Sequence, residues 1–181
     1  MTYKKVYIDT NIIRDCIRRR KDSSIILMKE IRERKVECIT SIFTLIELWN
    51  LEKQESFFFK KIRKHIELNA ILSNRNQMDL NESELNDIND ELDKFFREYN
   101  FVSKVQLVQE GWQFAFNIAR TTNIQPGDIL HLATALGERC DTMISGDDAF
   151  MKEAKKFIKN NKFHLRIVNS KQAETEIKLA A

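Results

Sequence analysis

The sequence predicts an α/β domain in which short parallel strands are covered by helices on both faces. Short apolar runs alternate with longer stretches that repeat apolar residues every three and four positions. Four glycines and one proline in 181 residues are too few for the tight turns of an all-β sandwich or barrel. A chain that is 43% hydrophobic and 31% charged is neither low-complexity nor extensively disordered. At this length it supports one domain with a real core.

The first element is Val6-Tyr7-Ile8, a short buried strand. Helical spacing follows from about Asn11 to Arg20 through Ile12, Ile13 and Ile17. It resumes from Ser23 to Arg34 through Ile26, Leu27 and Ile31. Val36 to Thr40 is a second strand. A long helical stretch starts near Ile42 with Leu45, Ile46 and Trp49 on one face. A break is expected near Glu52 to Ser56, after which the pattern continues through Phe58, Ile62 and Ile66 to Leu72. Asn74 to Asn81 is a polar loop, and Ser83 to Tyr99 carries an amphipathic stripe of Leu85, Ile88, Leu92, Phe95, Phe96 and Tyr99. Phe101 to Val108 is ambiguous, a short strand at most, and runs into a helix over Gln109 to Thr121. Pro126-Gly127-Asp128 breaks the chain before a buried helix, Ile129 to Leu136. Thr142-Met143-Ile144 and Leu165-Arg166-Ile167-Val168 are strands on either side of a helix from Asp148 to Asn160. Lys171 to Leu179 is a polar last helix. Residues 1–181 read as a single domain, with a helical insertion or lid at about 51–99 between the parts that build the sheet.

Composition narrows the class. No apolar run reaches the roughly 18 to 20 residues of a membrane span, and mean hydropathy is −0.44. The N-terminus through Ile8 does not read as a signal peptide, so a soluble cytoplasmic protein with no membrane partner is expected. Cys16, Cys38 and Cys140 are odd in number, far apart and outside any C-x-x-C pair. They read as core residues rather than a disulfide framework or zinc ribbon. Thirty basic residues against 27 acidic ones do not identify a polyanion partner. Charge is local: Arg18-Arg19-Arg20-Lys21 and Lys60-Lys61 with Arg63-Lys64 are basic, and Asp79 to Asp93 is acidic.

In a parallel sheet, ligands bind beyond the carboxyl ends of the strands. Several acids fall there. Asp9 directly follows the first strand, and Asp147 and Asp148 follow the third across Ser145-Gly146. Glu47 lies in the helix after the second strand, and Asp128 follows the proline. Each position has a purely structural alternative. Asp9 and Asp128 could cap the helices they precede, and Ser145 to Asp148 could form a capping box. Glu47 sits among apolar residues of its helix, where an acid costs desolvation unless an Arg, a Lys or a metal meets it. Carboxylates gathered in one cleft repel one another, each pair at ~4 Å by on the order of 4 kcal/mol at an effective dielectric near 20. Such a cluster stays ionised only around a multivalent cation. Oxygen ligands select a hard ion, Mg²⁺ or Mn²⁺, and such a site suits phosphoryl chemistry.

The set Val6-Tyr7-Ile8-Asp9-Thr10-Asn11, Thr40-Ser41 with Glu47, Asp128-Ile129-Leu130-His131-Leu132-Ala133-Thr134-Ala135 and Ile144-Ser145-Gly146-Asp147-Asp148-Ala149-Phe150 resembles the PIN-domain nucleases. It looks most like the VapC-type toxins of prokaryotic toxin–antitoxin pairs, and the order holds from Tyr3 to about Val168. The resemblance implies a three-layer α/β/α Rossmann-like fold with a short-stranded parallel sheet. It also implies a Mg²⁺- or Mn²⁺-dependent endoribonuclease, with RNA as substrate, an antitoxin as partner and a homodimer as a possible assembly. By position Asp9, Glu47, Asp128 and Asp147 would be the acidic, metal-binding quartet. Asn11 and Ser145 would orient the carboxylates, and Asp148 stands beside Asp147 as its alternative. The chain is longer than a typical VapC toxin, with the excess between Leu51 and Tyr99.

Once a nuclease is considered, Arg14, Arg18 and Lys21 become phosphate contacts, because their helix starts beside Asp9. His131 lies among Ile129, Leu130 and Leu132 and reads as a satisfied core residue. Trp49 and Trp112 fall on apolar stripes as core or interface residues, and a helical Phe57-Phe58-Phe59 must expose an aromatic. A haloacid-dehalogenase-like phosphatase also places an Asp after its first strand. It wants a second Asp where this chain has Asn11, and it leaves Glu47 and Asp128 unexplained. The remaining alternatives are a stand-alone RNA-processing nuclease and a non-catalytic RNA-binding module.

Overall fold

Five strands pair in parallel in the computed structural model, which describes residues 3–74 and 78–179. They are β1 (Lys5–Ile8), β2 (Glu37–Ser41), β3 (Val102–Val105), β4 (Thr142–Ile144) and β5 (Arg166–Val168), in the order β3-β2-β1-β4-β5. Val6, Tyr7 and Ile8 are all fully buried, as expected of a strand covered on both faces. The register sets Ile8 beside Ile144 and Tyr7 beside Ile39, so the carboxyl ends of β1 and β4 lie level. After β3 the chain crosses back to place β4 on the other side of β1. The order therefore reverses between β1 and β4.

The chain divides into two compact units, Met1–Thr44 with Tyr99–Ala181, and Leu45–Glu98. The first holds the sheet. On one face α2 (Asp22–Glu33) packs on α1 (Thr10–Ile17) and on α9 (Ser170–Leu179), with Ser23 Oγ 2.9 Å from Ser170 Oγ. The other face carries α6 (Gln109–Thr121), α7 (Pro126–Gly137) and α8 (Asp148–Asn160). Their buried residues, among them Ile118, Leu132, Ala133, Phe150 and Phe157, form one core with Tyr7, Ile39, Met143 and Ile167 of the strands. Helices on both sides of one sheet make three layers, α/β/α. The second unit contains most of α3 (Ile42–Arg63), α4 (Leu68–Ser73) and α5 (Glu82–Glu98). Within it Lys60 pairs with Glu84 at 2.9 Å and Lys61 with Asp79 at 3.0 Å. Asn81 and Glu84 exchange side-chain-to-backbone hydrogen bonds, a capping box that starts α5.

Several boundaries differ from the sequence reading; α1, for one, ends at Ile17 rather than Arg20. No break occurs at Glu52 to Ser56, because those residues are good helix formers and α3 runs through them. The interruption falls at 64–67, where His65 adopts a positive φ of 56° and its N–H bonds back to Ile62 O. Helix α7 starts at Pro126 rather than Ile129, since proline fits a first turn whose N–H groups have no partner inside the helix. The ambiguous stretch after Phe101 yields β3, whose Ser103 and Lys104 are exposed at the sheet edge. Of the polar loop at Asn74 to Asn81, residues 75–77 lie outside the described residues.

Basic residues occupy positions where helices usually end on glycine. Arg19, Lys35, His65, Arg139 and Lys162 all have positive φ immediately after helices. Each closes a Schellman pattern, as when Lys162 N bonds Lys159 O and Phe163 N bonds Ile158 O. A chain with four glycines meets the helix-end geometry with longer side chains, at a backbone cost and with a favourable charge for the helix dipole. All three cysteines are free and buried, and burial pushes the Cys140 thiol up to about 12. Among the described residues no helix is long and apolar enough to cross a membrane.

One surface cluster fixes the C-terminal helix. Tyr3 Oη donates to Glu176 Oε2 at 2.6 Å and Arg166 Nη2 donates to the same oxygen at 2.7 Å. These bonds, Tyr3 first, hold the Glu176 carboxyl down from 4.5 to about 2. A carboxyl depressed in the folded state stabilises it above the unfolded pKa, and that stability is lost as pH falls through the folded value. Thermal unfolding followed from pH 7 to pH 2 is expected to show Glu176→Gln with a shallower acid limb between about 4.5 and about 2. After solvent screening the difference is about 1 kcal/mol. Parallel curves for the two proteins would contradict the assignment.

Candidate functional site

Asp9 lies at the point where the strand order reverses. Its backbone N–H donates to Ile144 O at 3.0 Å, which carries the β1–β4 pairing one residue past the end of β1. The side chain is 3% exposed and is the N-cap of α1, accepting from Thr10 N–H at 2.7 Å through Oδ1. The cap expected as an alternative is therefore present, and it uses one oxygen. The other, Oδ2, accepts from Asn11 Nδ2 at 2.7 Å and from Ser145 Oγ at 2.6 Å. All three donors are uncharged, so none of them neutralises the carboxylate.

Ser145 and Asn11 join the carboxylate to the loop after β4. Asn11 Nδ2 also reaches Ser145 Oγ at 3.1 Å, and Asn11 Oδ1 accepts from Gly146 N–H at 2.6 Å. Asp147 N–H donates to Ser145 Oγ at 3.2 Å. A Cβ on Gly146 would stand 3.1 Å from Asn11 Oδ1 and 3.5 Å from Lys21 Nζ, so a glycine permits this close approach. The loop does not form the capping box considered from sequence. The N-cap of α8 is Asp147, whose Oδ1 accepts from Phe150 N–H at 2.9 Å, while Ser145 belongs to the Asp9 network. Asp148 occupies the first helical position and is exposed.

Asp128 does not cap α7 either. The N-cap is Gln125, and Asp128 lies inside the first turn, half-buried. It shares a helix face with His131, three residues on. His131 is 2% exposed, with Nδ1 2.6 Å from Tyr7 Oη and Nε2 3.4 Å from Thr10 Oγ1 and 4.0 Å from Asp9 Oδ1. Tyr7 Oη in turn accepts from Ser41 N–H at 3.2 Å. Burial and then the charge of Asp9 push the Tyr7 hydroxyl upward, so it keeps its proton. The core reading of His131 fits this geometry. Its hydrogen bond to Tyr7 crosses from helix to strand, and no spacing in the sequence announces it.

The other residues singled out from sequence come from several elements. Glu47 is a half-buried residue in the second turn of α3 and belongs to the second unit. Arg14 and Arg18 are half-buried at the C-terminal end of α1. Lys21 pairs with Asp15 at 3.2 Å, and its ammonium stands beside Gly146. Trp112 is not a core residue. It is exposed on α6 beside Phe116, with ring centroids 6.4 Å apart. Phe57 is buried and Phe59 exposed, as a helical run of three aromatics requires.

A buried aspartate at the switch point of a parallel sheet, with further acids on the next helices, defines an α/β protein of Rossmann-like architecture with an acidic site. The chain belongs to the PIN domain family, whose model matches residues 6–156. No curated protein matches the sequence. Among solved structures the fold is similar to a chain of VapBC2 from Rickettsia felis, crystallised bound to a DNA fragment from their promoter. The TM-score is 0.54 at 14% identity, covering 91% of this chain and 97% of that one.

Proposed function

We propose that this PIN-domain chain is a divalent-metal-dependent endoribonuclease that hydrolyses RNA phosphodiester bonds. We further propose that it acts in the cytoplasm as the toxin of a VapBC-like pair with an antitoxin partner, and that it is able to form a homodimer. The observation that carries the reading is Asp9, a carboxylate 3% exposed at the switch point and oriented by donors from Thr10, Asn11 and Ser145. Burying such a charge is costly unless a cation compensates it. The donor set is made of hard oxygens, which fits Mg²⁺ or Mn²⁺. Asp9, Asp128, Glu47 and Asp147 would hold the ion, with a helical insertion at about 51–99. When bound, the ion supplies a Lewis acid for the phosphoryl oxygens and a water of lowered pKa.

The protein groups have separate tasks in this reading. Asn11 and Ser145 fix the rotamer of Asp9, so its lone pairs are aimed before substrate arrives. Asp147 caps α8 through Oδ1, and its second oxygen would bind the ion. Lys21, beside Gly146, attracts the backbone of the substrate to an otherwise acidic cleft. The test is cleavage of a labelled single-stranded RNA by the purified chain. Cleavage is expected with Mn²⁺ or Mg²⁺, to stop with EDTA and to return when the metal is restored. Cleavage that persists in EDTA, or release of phosphate from a monoester in its place, would overturn the proposal.

A further inference from the structure

Helix α8 presents two unlike faces. Phe150, Met151, Ala154, Phe157 and Ile158 are buried in the core, whereas Lys152, Lys155, Lys156 and Lys159 are exposed on the opposite side. These four recur at three- and four-residue spacing and so form one compact patch, which exposed Lys162 extends past the helix end. None of the five makes an ion pair among the described residues. Exposed lysines elsewhere, such as Lys21, Lys29 and Lys178, do. Like charges at i,i+4, as in Lys152 with Lys156 and Lys155 with Lys159, work against the helix they sit on. Folding gains nothing from that arrangement.

Position gives the patch its meaning. The N-cap of α8 is Asp147, in the loop wired to Asp9, and the helix extends about 20 Å away from it. Beside the lysines is a cleft of about 260 Å³, lined by Thr121, Thr122, Glu153, Lys156, Phe157, Asn160 and Asn161, in which Glu153 is the one acid. The Asn160 amide makes no hydrogen bond among the described residues. The apolar face of the helix is committed to the core and is not available to enter a lipid surface.

We propose that the lysine face of α8 is a track for the phosphate backbone of single-stranded RNA leading to the site at Asp9. RNA as the partner rests on the nuclease reading. Lysines one turn apart neutralise successive phosphates without reading sequence, and the adjoining cleft receives a sugar or base edge. The dominant contacts are thus on α8 rather than on Arg14 and Arg18, which are half-buried.

The test measures binding of a fluorescein-labelled single-stranded RNA to the full chain in EDTA over a range of KCl concentrations. The variant Lys152→Gln/Lys155→Gln/Lys156→Gln/Lys159→Gln is expected to weaken binding roughly tenfold or more and to lower the slope of log affinity against log salt by about 2 to 3. Its two halves, Lys152→Gln/Lys156→Gln and Lys155→Gln/Lys159→Gln, should each give about half that change, which keeps the test valid if the fourfold variant unfolds. A control with the same loss of charge, Lys29→Gln/Lys94→Gln/Lys171→Gln/Lys178→Gln, should retain most of the slope. Equal losses in variant and control, or an unchanged slope in the α8 variants, would overturn the track. If wild type binds RNA through α8 yet shows no metal-dependent cleavage, the nuclease reading falls and the surface stands. Metal-dependent cleavage with an unchanged slope gives the reverse.

Discussion

The Asp9→Asn variant is expected to lose about a thousandfold or more in RNA cleavage, the effect of removing several kcal/mol of transition-state stabilisation. The substitution preserves shape and removes the charge. Asparagine keeps one acceptor oxygen, whereas Asp9 receives Thr10 N–H on Oδ1 and both Asn11 and Ser145 on Oδ2. One bond set must be lost or reversed, at about 1–2 kcal/mol. Relief of a buried charge offsets part of that, so the melting temperature without metal should move by only a few degrees. Divalent metal should raise the melting temperature of wild type and leave that of the variant unchanged, because only a group that binds the folded state stabilises it. Single-turnover cleavage and thermal unfolding with and without MnCl₂ measure both effects. Activity within tenfold of wild type would remove Asp9 from the centre of the chemistry.

Leu132→Ala is expected to produce the largest loss of stability, about 2–5 kcal/mol, from burial and cavity together. Leu132 is fully buried on α7, in the core that joins α6, α7 and α8 to Tyr7, Ile39 and Met143. Its neighbours cannot close the gap easily, because Ala133, Ala135 and Ile129 are themselves packed on the same short helix. Urea unfolding should show a lower midpoint with an unchanged m-value. Below the transition, cleavage should remain within a few-fold of wild type, since the bonds to Asp9 come from α1 and the loop after β4. A stability loss under 1 kcal/mol would mean that this helix is packed less tightly than its burial indicates.

Much of the fold is legible in the sequence because its signals are local. The run Val6-Tyr7-Ile8 is apolar on both faces and becomes β1, and Gln109 to Thr121 and Asp148 to Asn160 become α6 and α8 with the same bounds. Failures come where local rules compete. Glu52 to Ser56 looks like an interruption because it is polar, yet polar residues of high helix propensity continue a helix. The real stop at His65 is made by a positive φ on a residue that rarely adopts one. Edge strand β3 is faint because half of its side chains face water.

The site divides in the same way. The places of Asp9 after β1 and Ser145 after β4 can be read from the chain, since each depends only on which residue ends or succeeds an apolar run. Their union cannot. Ser145 Oγ meets Asp9 Oδ2 across 136 positions of sequence, and Tyr7 meets His131 across 124. The cap of α8 escapes a sequence reading for a related reason: three residues near that helix start all have suitable side chains, and the network around Asp9 claims Ser145 and leaves Asp147 to cap. The sequence alone determined which segments are strands and helices and that acids end the strands, because periodicity and adjacency are properties of neighbouring residues. Only the tertiary structure decided that β4 lies beside β1, and with it which hydroxyl and amide hold Asp9. Strand order depends on how distant segments share a core, and no local pattern encodes that choice.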